Sequence, residues 1–154
     1  MAERALEGLG WSTQPAPSLD DFEVLARQAL QTLPQPFRDL ASEVTCIVQE
    51  FADEETLDEL GIESEFDLMG LFRGVGMAQE GMVPPTGRLP NAVWLYRRAI
   101  LDYWAEHEET LGAVVTHVLV HEIGHHFGFS DEDMEAIEAA AEREAKLPVS
   151  SPRS

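Results

Sequence analysis

The run HVLVHEIGHHFGFSDED, residues 117 to 133, constrains this chain more than any other stretch. Within it His121-Glu122-Ile123-Gly124-His125 is an H-E-x-x-H box, and Gly128 and Asp131 extend it to HExxHxxGxxD. An α-helix has about 3.6 residues per turn, so His121 and His125 lie one above the other on one face. Two imidazoles placed that way can bind one metal ion. Glu122 is rotated by about 100° from His121, beside the ion, where it can hold a water rather than displace it. Zinc lowers the pKa of its water to about 7, and a carboxylate can then take the proton. Two histidines leave the usual set of three protein ligands one short. Gly128 shows how the third arrives: helices often end at a left-handed glycine, where the chain turns sharply. Asp131, just beyond that turn, is expected to swing back as an oxygen ligand, leaving the fourth position for water and substrate.

Such a box arises by chance in roughly one chain of a few hundred, and a chance copy usually falls on a solvated helix. This one closes TLGAVVTHVLVHEIGHHFG, apolar almost all round, the pattern of a buried helix. Burying two histidines and a glutamate without partners is costly, so the residues favour a metal site. One Zn2+ ion fits two imidazoles and a carboxylate. Iron(II) oxygenases use the same ligand types, but the glutamate of a helical HExxH favours zinc.

These residues resemble the zincin superfamily, and within it the small bacterial zincin-like metallopeptidases, sometimes described as minimal metalloproteases. The similarity spans roughly residues 20 to 135. It includes FDLMGLFRGV at 66 to 75 and LPNAVWLYRRAIL at 89 to 101, besides the HExxHxxGxxD box. The resemblance implies His121, His125 and Asp131 as zinc ligands and Glu122 as catalytic base. Metzincins carry a histidine where this chain has Asp131, and a methionine-containing turn beyond it. No such turn is visible here, and Met134 is expected to pack in the core. Snapalysin-type proteases share the aspartate but are secreted.

Ten basic residues against 29 acidic give the 154-residue chain a net charge of −19. That excess excludes nucleic-acid binding by charge and disfavours anionic membrane surfaces. It would attract a basic or unstructured peptide, although simple solubility is the plainer reading. The single cysteine, Cys46, permits no internal disulfide and reads as a small buried hydrophobe. The segment MAERALEGLGWSTQPAPS has no apolar run of signal-peptide length, and no stretch approaches a membrane span. A cytoplasmic location is the expectation.

Taken in order, residues 1–17 mix Gly, Pro, Ser and Thr and are expected to form a flexible arm. Ser18 looks like a helix N-cap with acids in the first turn, and Phe22, Leu25, Ala26, Ala29, Leu30 and Leu33 follow at helical spacing until Pro34 and Pro36. EVTCIVQEF at 43 to 51 reads as a strand. From Glu50 to Asp67 there are nine acids and no base, read as a solvated loop or short helix, or as a rim steering a cationic substrate. Residues 66 to 75 form a second strand interrupted by Gly70 and Gly74, where a bulge or a close backbone approach is expected. A Gly/Pro-rich connection at 76 to 88 precedes a third strand at 91 to 99. Arg97 and Arg98 read as its solvated end, or as binders of a substrate carboxylate.

The metal-binding helix is expected to start between Asp102 and Thr110. His117, one turn before His121, reads as a core histidine, with support of the metal ligands as the other reading. His126 faces away and His107 reads as surface. Ser130 and Asp133 look like a capping box opening the next helix, which runs to about Lys146. The tail 147–154 is expected to be flexible. The fold class that follows is α+β: one small zincin-like domain over 18–146, with a mixed three- to four-stranded sheet packed on helices that include the HExxH helix.

The expected function is zinc-dependent hydrolysis of peptide bonds, with a peptide or protein substrate bound in extended form along a sheet edge. Tyr96, Tyr103 and His126 are the oxyanion donors that chemistry allows. Two other readings stand beside it: a zinc-binding interaction module with little or no proteolysis, and hydrolysis of a non-peptide amide.

Overall fold

The computed structural model describes residues 12–74 and 91–146. Residues 1–11 of the expected N-terminal arm, the Gly/Pro-rich connection and the tail lie outside them. Helix α1 runs over Leu19–Gln31. Ser18 and Asp21 cap it reciprocally: the Asp21 N–H donates to Ser18 Oγ at 3.1 Å, and the Ser18 N–H to Asp21 at 2.8 Å. Helix α2 is a single short piece, Phe37–Ala41, that the pattern did not announce. Its Phe37 is fully buried and meets Phe129 edge-on at 5.3 Å.

Strand β1 is Val44–Gln49. The acidic stretch after it is a helix, α3 over Glu54–Leu60, followed by a 3-10 turn at Glu65–Asp67. The Asp53 side chain caps α3 by accepting from the Thr56 N–H at 2.8 Å, and hydrogen bonds from the Thr56 hydroxyl and N–H hold its carboxyl below the usual range. Strand β2 is Gly70–Gly74 and β3 is Asn91–Tyr96.

The third strand stops three residues short of the expected end, because the chain turns helical at Arg97. Ala99 and Ile100 are both fully buried within that helix. Helix α4, Arg97–Ala105, therefore takes the residues that looked like strand and like the start of the metal-binding helix. Arg97 is neither a solvated end nor free for substrate: it donates to the Pro17 carbonyl at 2.6 Å and pairs with Glu50 at 2.8 Å. Arg98 lies over the Phe51 ring.

The sheet order is β1-β3-β2, with β1 parallel and β2 antiparallel to β3. The mixed sheet thus has three strands among the described residues. Both faces of β3 are covered. Val93 and Leu95 join the main core, which includes Phe22 of α1 and Val118 of the following helix, while Tyr96 packs with Leu57 of α3. Helix α5, Leu111–His126, starts when the Thr110 side chain accepts from the Ala113 N–H at 3.1 Å. Half of its residues are buried, against β2 and β3 on one side and α1 on another. Helix α6, Asp131–Lys146, follows and buries Met134, Ile137 and Ala141. This is an α+β domain with the HExxH helix packed on the sheet. No helix among the described residues is long and apolar enough to cross a membrane.

Candidate metal centre

The hairpin of α5 and α6 positions the site, and the turn between them is tightly specified. Gly128 has φ +82°, as the left-handed reading required. Its N–H bonds the His125 carbonyl at 3.2 Å, and the Phe129 N–H bonds the Gly124 carbonyl at 2.9 Å. Both belong to a Schellman ending, which satisfies carbonyls the helix would otherwise orphan. Ser130 then opens α6 with Asp133, at 3.0 and 3.2 Å, the expected capping box. Gly124, inside the HExxH box, lets α6 come close: a Cβ there would meet Met134 Sδ at 2.6 Å.

That approach sets a carboxylate of α6 against the histidine stripe of α5. His121 Nε2 lies 2.8 Å from Glu138 Oε2, and His117 Nδ1 lies 2.9 Å from Glu138 Oε1. The His117 and His121 rings are 4.1 Å apart. These three side chains form a group able to hold a metal ion, with ligand atoms all within 4.8 Å of one another. His125 continues the stripe one turn on, its ring edge-on to His121 at 5.8 Å. It is exposed, as is Asp131 at the first position of α6. Neither belongs to the group of three.

His117 is not a core residue. Its side chain is 49 % exposed and meets Glu138 and the His121 ring. The core expectation failed because the stripe 117, 121, 125 drifts around the helix toward α6 instead of toward the sheet. Glu138 was missed altogether. A partial signal existed, since His117 and His121 repeat the i, i+4 spacing of the box itself. The partner on α6 carried none, because its register depends on the turn geometry and on the Gly124–Met134 contact.

Glu122, about 100° further round the helix from His121, faces strand β2. Burial raises its carboxyl above the usual range, against a lowering by His125 and by the N–H of Phe72 on β2. Strand β2 reaches α5 here because its glycines have no side chain. A Cβ on Gly70 would lie 2.5 Å from Val118 Cγ1 and 3.4 Å from Glu122 Cγ, and one on Gly74 would lie 2.8 Å from His126 Cε1. The close-approach reading of these glycines therefore holds. Between them Phe72 stacks on His126 at 4.1 Å. His126, given no role by its position, ties the edge strand to the helix.

The remaining polar candidates are bound up in structure. Tyr96 is buried on the α3 side of the sheet, in the wall of a concavity with Asp53, Arg73 and Trp94. Burial pushes its hydroxyl up to about 12, with Asp53 adding to the effect. The Tyr103 hydroxyl bonds Glu109 at 3.3 Å, and its ring stacks on the exposed His107.

Two imidazoles and a carboxylate are the donor types zinc takes in open sites, so this stripe fits that ion chemically. A family model described as zincin-like metallopeptidase matches residues 41–141. A search of curated proteins found no match.

Proposed function

The chain belongs to the zincin-like metallopeptidase family, and from that premise we propose that it is a zinc-dependent peptidase with Glu122 as general base. In this reading His121, His125 and Asp131 hold the ion. When bound, zinc would supply Lewis acidity toward the scissile carbonyl and would lower the pKa of a bound water. Glu122 takes a proton from that water and returns it to the leaving nitrogen. The observation that carries the reading is the setting of Glu122. It adjoins a candidate ligand in sequence, is desolvated, and is oriented by a backbone N–H of β2.

The substrate would be an extended peptide. Strand β2 is the antiparallel edge of the sheet and lies beside Glu122. Main-chain pairing along such an edge supplies affinity without a deep pocket. The test is Glu122→Gln, which keeps the acceptor for Phe72 but removes the base. It should retain metal and lose peptide hydrolysis; full hydrolysis by this variant would refute the mechanism.

One observation favours a second reading, a zinc-binding module with little or no proteolysis. Glu138 stands against His121, so a further protein carboxylate is at hand to close the position a water needs. A metal centre with four protein ligands and no exchangeable solvent would support it.

A further inference from the structure

We propose that His117, His121 and Glu138 form a metal site of their own, an alternative to the HExxHxxGxxD set with which it shares His121. The inference goes beyond the peptidase reading and does not need it. Three features carry it. The donors are the right kinds, two imidazole nitrogens and a carboxylate. They are already convergent: Glu138 uses one oxygen for each ring, at 2.9 Å from His117 and 2.8 Å from His121. They are also reachable, with side chains 49, 26 and 27 % exposed, so an ion can enter and keep a solvent position. The hydrogen bonds that hold the group in the metal-free chain are ones an ion displaces, since ligands bind deprotonated.

The backbone makes this arrangement persistent. The Schellman turn, the Ser130–Asp133 caps and the Gly124–Met134 contact fix the register of α6 on α5. Glu138 is thereby kept opposite His117 and His121. One imidazole serves the two ligand sets, so a chain holds its ion in one or the other. Total occupancy is then one ion per chain, and adding zinc does not change the division between the sets.

The test uses the full chain stripped by a chelator and titrated with cobalt(II), read by visible absorption, and with zinc, read by calorimetry. In His125→Ala/Asp131→Ala the HExxHxxGxxD set is dismantled at two exposed residues, and circular dichroism checks the fold. This variant is expected to bind one ion with the absorption of a low-coordinate cobalt site. Adding Glu138→Ala should weaken binding by about a hundredfold or more, on the scale of lost metal-site partners, and adding His117→Ala should weaken it similarly. Adding Glu135→Ala, an exposed acid of the same helix, should change nothing. If the double variant binds no ion, or binds equally well without Glu138, the group is only a hydrogen-bonded His–Glu–His ladder and the proposal is overturned. Peptide cleavage by the unaltered chain and its Glu122→Gln variant is scored separately, so either idea can fail while the other stands.

Discussion

His121 and Glu122 are neighbours in sequence, yet α5 delivers them to different environments. On the α6 side His117 and His121 are partly exposed, lie ring to ring at 4.1 Å, and pair with Glu138. On the β2 side Glu122 is desolvated, faces a strand thinned by glycines, and has its carboxyl pushed up by burial. The difference separates two chemical needs. A ligand must be reachable by an ion and free to lose its proton, whereas a base gains strength and aim from a dry, fixed position. A helix satisfies both with adjacent residues because each step turns it by about 100°.

The contrast can be broken from either side. The largest effect on stability is expected from Met134→Ala. This fully buried side chain fills the contact with Gly124, and large-to-small changes in cores cost about 2–5 kcal/mol. Urea unfolding should show that loss, with the candidate ligands of α6 loosened as well. Gly70→Ala attacks the other side. Its new Cβ would meet Val118 at 2.5 Å and the Trp94 carbonyl at 3.1 Å, and overpacking of this kind costs about 1–3 kcal/mol. Thermal unfolding should drop accordingly, and hydrolysis should fall more than metal affinity, because β2 is displaced from Glu122 while the α6 side is untouched. The reverse ranking would mean the two sides are not independent.

Smaller changes sharpen the picture. Ser130→Ala removes the cap that starts α6 and should cost about 1 kcal/mol. Glu138→Gln should change metal-free stability by no more than about 1 kcal/mol, because paired groups with solvent access contribute little. A loss much larger than that, measured by the same unfolding titration, would make Glu138 a structural residue first.

Much of this architecture was legible in the residues. Ser18, Pro34 and Pro36 bounded α1, Gly128 marked the turn, and Ser130 with Asp133 marked the start of α6, each through a local backbone rule. The glycines of β2 pointed to a close approach, which the helix supplies. The boundary between α4 and α5 was harder, since residues 97 to 110 carry helical and strand signals together. There the choice rests on tertiary packing, which a local pattern does not encode. The Glu138 contact was invisible for the same reason. It joins residues 17 to 21 positions apart through a register no local pattern encodes. Of the candidate ligands, His121 was read from spacing and stands in the cluster. His117 was read as core because an apolar helix hides which of its faces turns outward.

The most direct measurement is zinc content and peptide-library cleavage for the unaltered chain beside Glu122→Gln. The account predicts about one zinc per chain in both, with cleavage reduced by a factor of about 10²–10⁴ in the variant, the usual range for a lost general base. Equal cleavage by the two proteins, or loss of zinc from Glu122→Gln, would contradict the division of roles between the two sides of α5.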